Sequence, residues 1–452
     1  MTTLSPVPSM QDLKVTYQDY SLVFPSLESQ RKSIFLSNID QIFNFNLSIA
    51  NFFKPKPDFP PEIVAKRLKM ALEKILVSYD FIAGRLKLND KLGRLEIDCN
   101  AAGAGFVVAS SELSLDEVGG YINYPNLGYR QLVVERLDNL APEVDQPLCV
   151  FQVTSFKCGG FAIGMSANHI LFDGLGARTC LENIASQAFD GKPFAVTPCH
   201  NRRILAARSP PQVVFPHPEL IDLNQLVSRG SSPSVFDCVQ EELELRIFKF
   251  SSTDIAQLKE KAKLDTIKMS TFAVVAALMW RCKALSADNE KDRVLSTLLN
   301  FIDIRPRLNP PLPPSYSGNA VLLAGVSATY QELENGPFSK LVKIISDGGK
   351  EITDEYVKST LDWLEVHRGI PYGDYIVSSW LRIGYDEVIY PWGKPIYTCP
   401  VVNHRKDICW IFPVDGGVGA LVALPAQEME RFEALFHKFV ASSGKLHLTS
   451  CL

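Results

Sequence analysis

From Leu148 to Phe156 the chain is mostly apolar and rich in strand-forming residues; Lys157-Cys-Gly-Gly160 then reads as a turn. Phe161, Ile163, Met165 and Ala167 follow at every second position. This pattern predicts a β-hairpin whose second strand ends at His169. Beyond Asp173 the spacing changes: Leu175, Cys180, Leu181, Ile184, Ala188 and Phe189 recur at helical intervals. His169 therefore sits where a strand gives way to a helix, a place where rigid scaffolds commonly present reactive side chains. Pro61 followed by Ile63, Val64, Leu68, Ala71, Leu72, Ile75 and Leu76 predicts an amphipathic helix over 61–77 with proline in its first turn. Ser270-Thr271 can cap a helix running through Trp280, and Met429, Phe432, Leu435, Phe436, Phe439 and Val440 mark a last helix. Strand-like runs occupy 375–381, 395–401, 408–414 and 418–424.

Residues 199–236 interrupt this pattern. Ser209-Pro-Pro211, Pro216-His-Pro218 and Arg229-Gly-Ser-Ser-Pro233 break any long element, so the segment reads as a crossover linker. A chain of 452 residues exceeds what one core usually absorbs, which predicts two domains of similar size, 1–198 and 237–452. Helices and strands alternate in both, so each is expected to be a mixed β-sheet covered by helices, of α/β class. The net charge of -4 and pI near 6.0 argue against nucleic acid as the main partner. None of the ten cysteines forms a Cys-x-x-Cys pair, and several lie in apolar runs, as reduced buried thiols do. The segment 1–19 lacks the apolar region of a signal peptide, and no run approaches the length of a membrane-spanning helix. The expectation is a reduced, cytoplasmic monomer without a membrane span. The ending Ser450-Cys451-Leu452 is a faint version of a peroxisomal address that lacks its central basic residue.

The candidate chemistry centres on His169, Asp173 and Gly174. An imidazole at the end of a strand can act as a general base, and the carboxylate four residues on can orient the ring or fasten its loop. Ser166, in Gly-Met-Ser-Ala-Asn, lacks the final glycine of a nucleophile elbow and lies on the strand. Gly174-Leu-Gly176 and Gly416-Gly417-x-Gly419 lack a full dinucleotide fingerprint and read as turn and packing glycines. Trp280 and Trp363 read as core, Trp392 as structural and Lys394 as a solvated or channel charge. His200, His217, His367, His404, His437 and His447 show no metal-site spacing, so no metal is expected.

The residues around His169 resemble the BAHD family of plant acyl-CoA-dependent acyltransferases. Further blocks carry the resemblance over most of the chain: Phe35-Leu-Ser-Asn-Ile-Asp40, Ala83-Gly-Arg-Leu86, Gln152 to Gly160, Ser270-Thr-Phe272 through Cys282, Arg305-Pro-Arg-Leu308, Tyr316-Ser-Gly-Asn319, Ser378-Ser-Trp380 and Trp392-Gly-Lys-Pro395. One block departs from the family pattern. Where the family has Asp-Phe-Gly-Trp-Gly, this chain has Ile389-Tyr-Pro-Trp-Gly393, so the acid and the first glycine are missing; either another acid, Asp386 or Glu387, substitutes or a nearby arginine is paired differently.

The resemblance implies two chloramphenicol acetyltransferase-like domains with the active site in a channel between them. It implies acyl-CoA as a co-substrate, no permanently bound cofactor, and His169 as a general base acting without a covalent acyl-enzyme. Trp380 and Ser378 are its implied oxyanion donors. It also implies that Asp173 turns from the imidazole to pair with an arginine, Arg305 first and Arg307 second, while Gly174 leaves room beside the histidine. Ser270 and Thr271 are either an ordinary helix cap or a docking point for CoA phosphates at a helix N-terminus. The implied reaction is transfer of a hydroxycinnamoyl or other aromatic acyl group to a hydroxyl or amine acceptor in plant specialised metabolism. Two other readings stay open: isomerisation and lactonisation of an ortho-hydroxycinnamoyl-CoA, as in coumarin synthases, and a non-catalytic relative that assists a partner enzyme.

Overall fold

A computed structural model describes residues 12–28, 30–118, 127–140, 145–223, 242–263, 269–287, 294–401 and 405–441. Cys238, His404, His447, the linker portion 224–236 and the ending Ser450-Cys451-Leu452 lie outside the described residues. Two six-stranded mixed sheets dominate. In the first, strands run in the order Val15–Val23, Ala104–Ser111, Cys149–Phe156, Phe161–Asn168, Asn46–Phe53 and Tyr397–Val401. In the second, the order is Glu244–Ser251, Gly417–Leu424, Ile408–Val414, Tyr375–Ser379, Leu295–Asp303 and Val321–Thr329.

The expected hairpin is Cys149–Phe156 paired antiparallel with Phe161–Asn168, turning at Gly159 with φ +81°. Helix Pro61–Ser78 opens with proline at its first turn and buries Val64, Leu68, Leu72, Ile75 and Leu76. It packs against helix Gly174–Ala188 on the first sheet. In the second half, Ser270 caps helix Thr271–Ser286 by accepting from Ala273 N at 3.0 Å. This helix is apolar almost all round, as a core helix must be. It is enclosed by helices Ser252–Lys261, Phe338–Glu351 and Ala426–Ala441.

The structure departs from the sequence reading in three places. The strand Tyr397–Val401 belongs by hydrogen bonding to the first sheet, where it pairs antiparallel with Asn46–Phe53, although its sequence position put it with the second domain. Its alternating pattern fits either sheet equally; the free edge of Asn46–Phe53 decides. The run 375–381 stops as a strand at Ser379, because Trp380 and the residues after it turn toward the other half. Trp363 is only partly buried and tilts against His367, whereas Trp280 is fully buried and donates to Ser296 Oγ at 2.9 Å.

Candidate active site

The strand Phe161–Asn168 ends with a built-in stop. Asn168 accepts from Ile170 N at 3.0 Å and so caps a 3₁₀ turn, His169–Leu171. The backbone of His169 is held on both sides: its N–H donates to Phe45 O at 2.8 Å, and its carbonyl accepts from Asn319 Nδ2 at 2.9 Å. The ring of Phe43 stacks on the imidazole with centroids 4.7 Å apart, and Phe45 tilts against it at 5.5 Å. The ring's Nδ1 is buried, which leaves Nε2 to face the cavity that His169 lines. Burial lowers the imidazole pKa below its ordinary 6.5, outweighing the opposing pull of the Asp173 charge. At neutral pH the ring is therefore a neutral, available base.

Asp173 does a different job. Its Oδ1 accepts from Gly176 N at 2.9 Å, which caps helix Gly174–Ala188, and from Arg305 Nη2 at 2.9 Å. Its Oδ2 accepts from Ala320 N at 2.9 Å and Arg305 Nη1 at 2.8 Å. With both oxygens occupied, the carboxylate fastens the loop to the second half and is not spent on the imidazole. Arg305 also donates to the carbonyl of Tyr316 at 2.9 Å, while Arg307 reaches Ile352 O instead. Gly174 lines the cavity, and a Cβ there would lie 2.6 Å from Ile383 Cδ1, so the glycine lets Ile383 approach the loop.

His169, Asp173 and Gly174 share one cavity of about 1680 Å³ with Ser378, Trp380, Ser270 and Thr271. The cavity lies between the two sheets. Trp380 follows the strand Tyr375–Ser379, is anchored by its backbone N–H, which donates to Ile411 O at 2.7 Å, and meets Trp410 edge-on at 5.7 Å. Arg305 stands behind the loop and does not line the space. Ser166 is buried in its strand, and Lys394 is exposed and outside the cavity lining.

The altered pentapeptide is held by packing. Tyr390 and Trp392 stack with centroids 5.2 Å apart, Trp392 meets Phe53 and Phe161 edge-on, and Lys56 Nζ donates to Pro391 O at 3.1 Å. Ile389 points outward, 59% exposed. Of the two candidate acids, Glu387 forms an ion pair with Arg178 at 3.2 Å, and Arg178 also donates to Ile383 O.

A model of the family described as "Transferase: Transferase family" matches residues 13–438. The chain belongs to the BAHD acyltransferases. It is 49% identical to Acyltransferase GLAUCE of Arabidopsis thaliana over 96% of its own length and 97% of that protein's. It is 30% identical to an omega-hydroxypalmitate O-feruloyl transferase of the same plant, over 94% of this chain and 93% of that one. Among solved structures, vinorine synthase shares the fold with a TM-score of 0.73 at 21% identity, covering 92% of this chain and 96% of that chain.

Several residues of this BAHD acyltransferase site escaped sequence reasoning as individuals. Asp40 and Asn319 stood inside matching blocks without a role. The structure joins them: Asn319 Nδ2 donates to Asp40 Oδ1 at 2.8 Å as well as to the His169 carbonyl. Arg202, from the linker, donates to the carbonyls of Ile170 and Leu171 and pairs with Asp40 at 3.1 Å. Arg202 and Asp40 are almost wholly buried, so the turn that carries the histidine rests on a charged network drawn from three distant segments. Phe43 and Tyr385 likewise line the cavity without any spacing signal in the sequence.

Proposed function

We propose that the protein transfers a hydroxycinnamoyl or related aromatic acyl group from coenzyme A to a hydroxyl or amine on a small-molecule acceptor. The observation that carries this reading is the neutral imidazole of His169, which lines one cavity with Trp380 and Ser378. Relatives named for feruloyl and hydroxycinnamoyl transfer, such as the shikimate O-hydroxycinnamoyltransferase of Nicotiana tabacum at 30% identity, support the aromatic donor. Solved neighbours with the same fold include TRI101 of F. sporotrichioides complexed with coenzyme A, which supports acyl-CoA as co-substrate.

The proposed reaction uses the groups that line this cavity. His169 Nε2 removes the proton of the acceptor as its oxygen or nitrogen bonds to the thioester carbon. The carbonyl oxygen becomes an oxyanion, and in this reading the Trp380 indole N–H and the Ser378 hydroxyl donate to it. When the oxyanion collapses the carbon–sulfur bond breaks, and the imidazolium returns its proton to the departing thiolate. Asp173 and Arg305 keep the loop in register throughout and take no proton. Ser270 Oγ is engaged with Ala273 N, so CoA phosphates would be met by the free amides of that helix end and the Thr271 hydroxyl.

Incubation with a panel of acyl-CoAs, with and without alcohols and amines, followed by product mass, tests the proposal. Products carrying the acyl group on the added acceptor are expected, with loss of turnover in His169→Ala. CoA release without acceptor, giving a product of the donor's mass less CoA, would replace transfer by lactonisation. Retention of full biological effect by His169→Ala would replace it by a non-catalytic role.

A further inference from the structure

Tyr385 brings to the cavity wall a polar end that the reaction above does not use. It opens the short turn Tyr385–Glu387, which the ion pair of Glu387 with Arg178 ties to the helix following Asp173. The residue is 7% exposed, yet its hydroxyl has no hydrogen-bond partner among the described residues. Its ring meets Trp380 edge-on, with centroids 5.4 Å apart at 77°. A Cβ built on Gly174 would lie 3.6 Å from its hydroxyl oxygen. The hydroxyl is thus fixed between the glycine that follows Asp173 and the indole of Trp380, on the wall of the cavity. A hydroxyl without a protein partner on a cavity wall is open to an acceptor atom of a ligand. Burial and the nearby Asp173 charge both push the phenol pKa up, so the group stays protonated and acts as a donor.

We propose that the Tyr385 hydroxyl donates a hydrogen bond to the thioester carbonyl oxygen of bound acyl-CoA, beside the Trp380 indole and on the Gly174 side. The inference rests on the acyl-CoA reading above. The carbonyl is the acceptor that gains charge as the acceptor substrate attacks, so a fixed neutral donor strengthens its bond just as the barrier is reached. Tyr385 keeps its proton at every step; the proton that moves belongs to the acceptor and passes through His169. The edge-on contact with Trp380 makes the two donors one unit, each ring fixing the direction of the other.

The test uses Tyr385→Phe, which keeps the ring and deletes only the hydroxyl, with the melting temperature as a check that packing is intact. The absorption band of p-coumaroyl-CoA runs through the conjugated carbonyl and moves to longer wavelength when donors polarise that oxygen. A red shift on binding to the unaltered enzyme, smaller in Tyr385→Phe, is expected. So is a fall in kcat of about tenfold to a hundredfold with KM for the acyl-CoA nearly unchanged. Equal shifts and equal kcat in the two proteins would overturn the proposal, as would the absence of any shift in the unaltered enzyme. The band shift needs no acceptor. An enzyme that polarises the donor yet acylates nothing in the panel would therefore count against the transfer reading alone.

Discussion

The imidazole of His169 is neutral because Phe43, Phe45 and the surrounding fold remove it from water more effectively than Asp173 can hold its charge. The acid limb of kcat/KM should therefore lie below the ordinary histidine value. Activity measured against pH should hold through about 6.5 and fall only beneath it. Asp173→Asn separates a loop clamp from a triad acid. As a clamp, Asp173 balances buried Arg305, so its loss should cost about 3 kcal/mol in denaturant titrations. As a triad acid it would leave stability intact and move the pH profile instead. His169 and Asp173 were legible because their spacing and flanking residues lie in one short run. Arg202, Phe43 and Tyr385 were not, since each reaches the site from a segment whose local pattern says only loop or core. The pairing of Asp173 with Arg305 was readable through the family resemblance; the close approach of Ile383 to Gly174 was not, because the neighbour comes from two hundred residues away.

Among the elements, the linker carries more of the site than its broken sequence pattern suggested. Its start forms the turn Arg202–Leu205, and Leu220–Ile221 pairs with Ile370–Pro371. Arg202→Met should remove the partner of buried Asp40 and release the carbonyls of Ile170 and Leu171. A loss of about 3–5 kcal/mol, read by chemical denaturation, is expected. Two residues earlier, His200 bonds Ser317 at 2.6 Å and meets Tyr79 and Phe81 edge-on. Burial, helped by the charge of Arg202, lowers its pKa from 6.5 to about 4. The unfolded chain takes up a proton as pH falls below about 6.5, while the folded chain does not until near 4. Stability from this residue is thus complete above 6.5 and is lost progressively across that window. His200→Gln should flatten the decline in melting temperature over the same range. Proline and glycine marked the described part of this segment, 199–223, as short of long elements, but hydropathy carries no trace of an arginine whose partners are backbone carbonyls. Helix Pro61–Ser78 and the hairpin were legible almost to the residue, since their periodicity and turn chemistry are local.

For the whole molecule, the two halves read from sequence are real as sheets but are not separable as lengths of chain. The strand Tyr397–Val401 completes the first sheet, and Tyr390 and Trp392 pack against Phe53 and Phe161 in the first core. A fragment of residues 1–198 should therefore expose the bare edge of Asn46–Phe53 and aggregate, whereas co-expression with 199–452 should restore a soluble complex, as size-exclusion chromatography would show. Sequence order could not reveal this exchange, because a five-residue strand looks alike whichever sheet it joins. The exchange also bears on how the enzyme meets its substrates. A hinge that spread the two sheets would have to peel Tyr397–Val401 from its ladder and draw Trp392 out of an apolar core. The walls of the cavity are laced together, so its width is a constant of the fold. Selection by size then belongs to the side chains that line it, and the substrate range can be re-cut by trimming those without touching the scaffold.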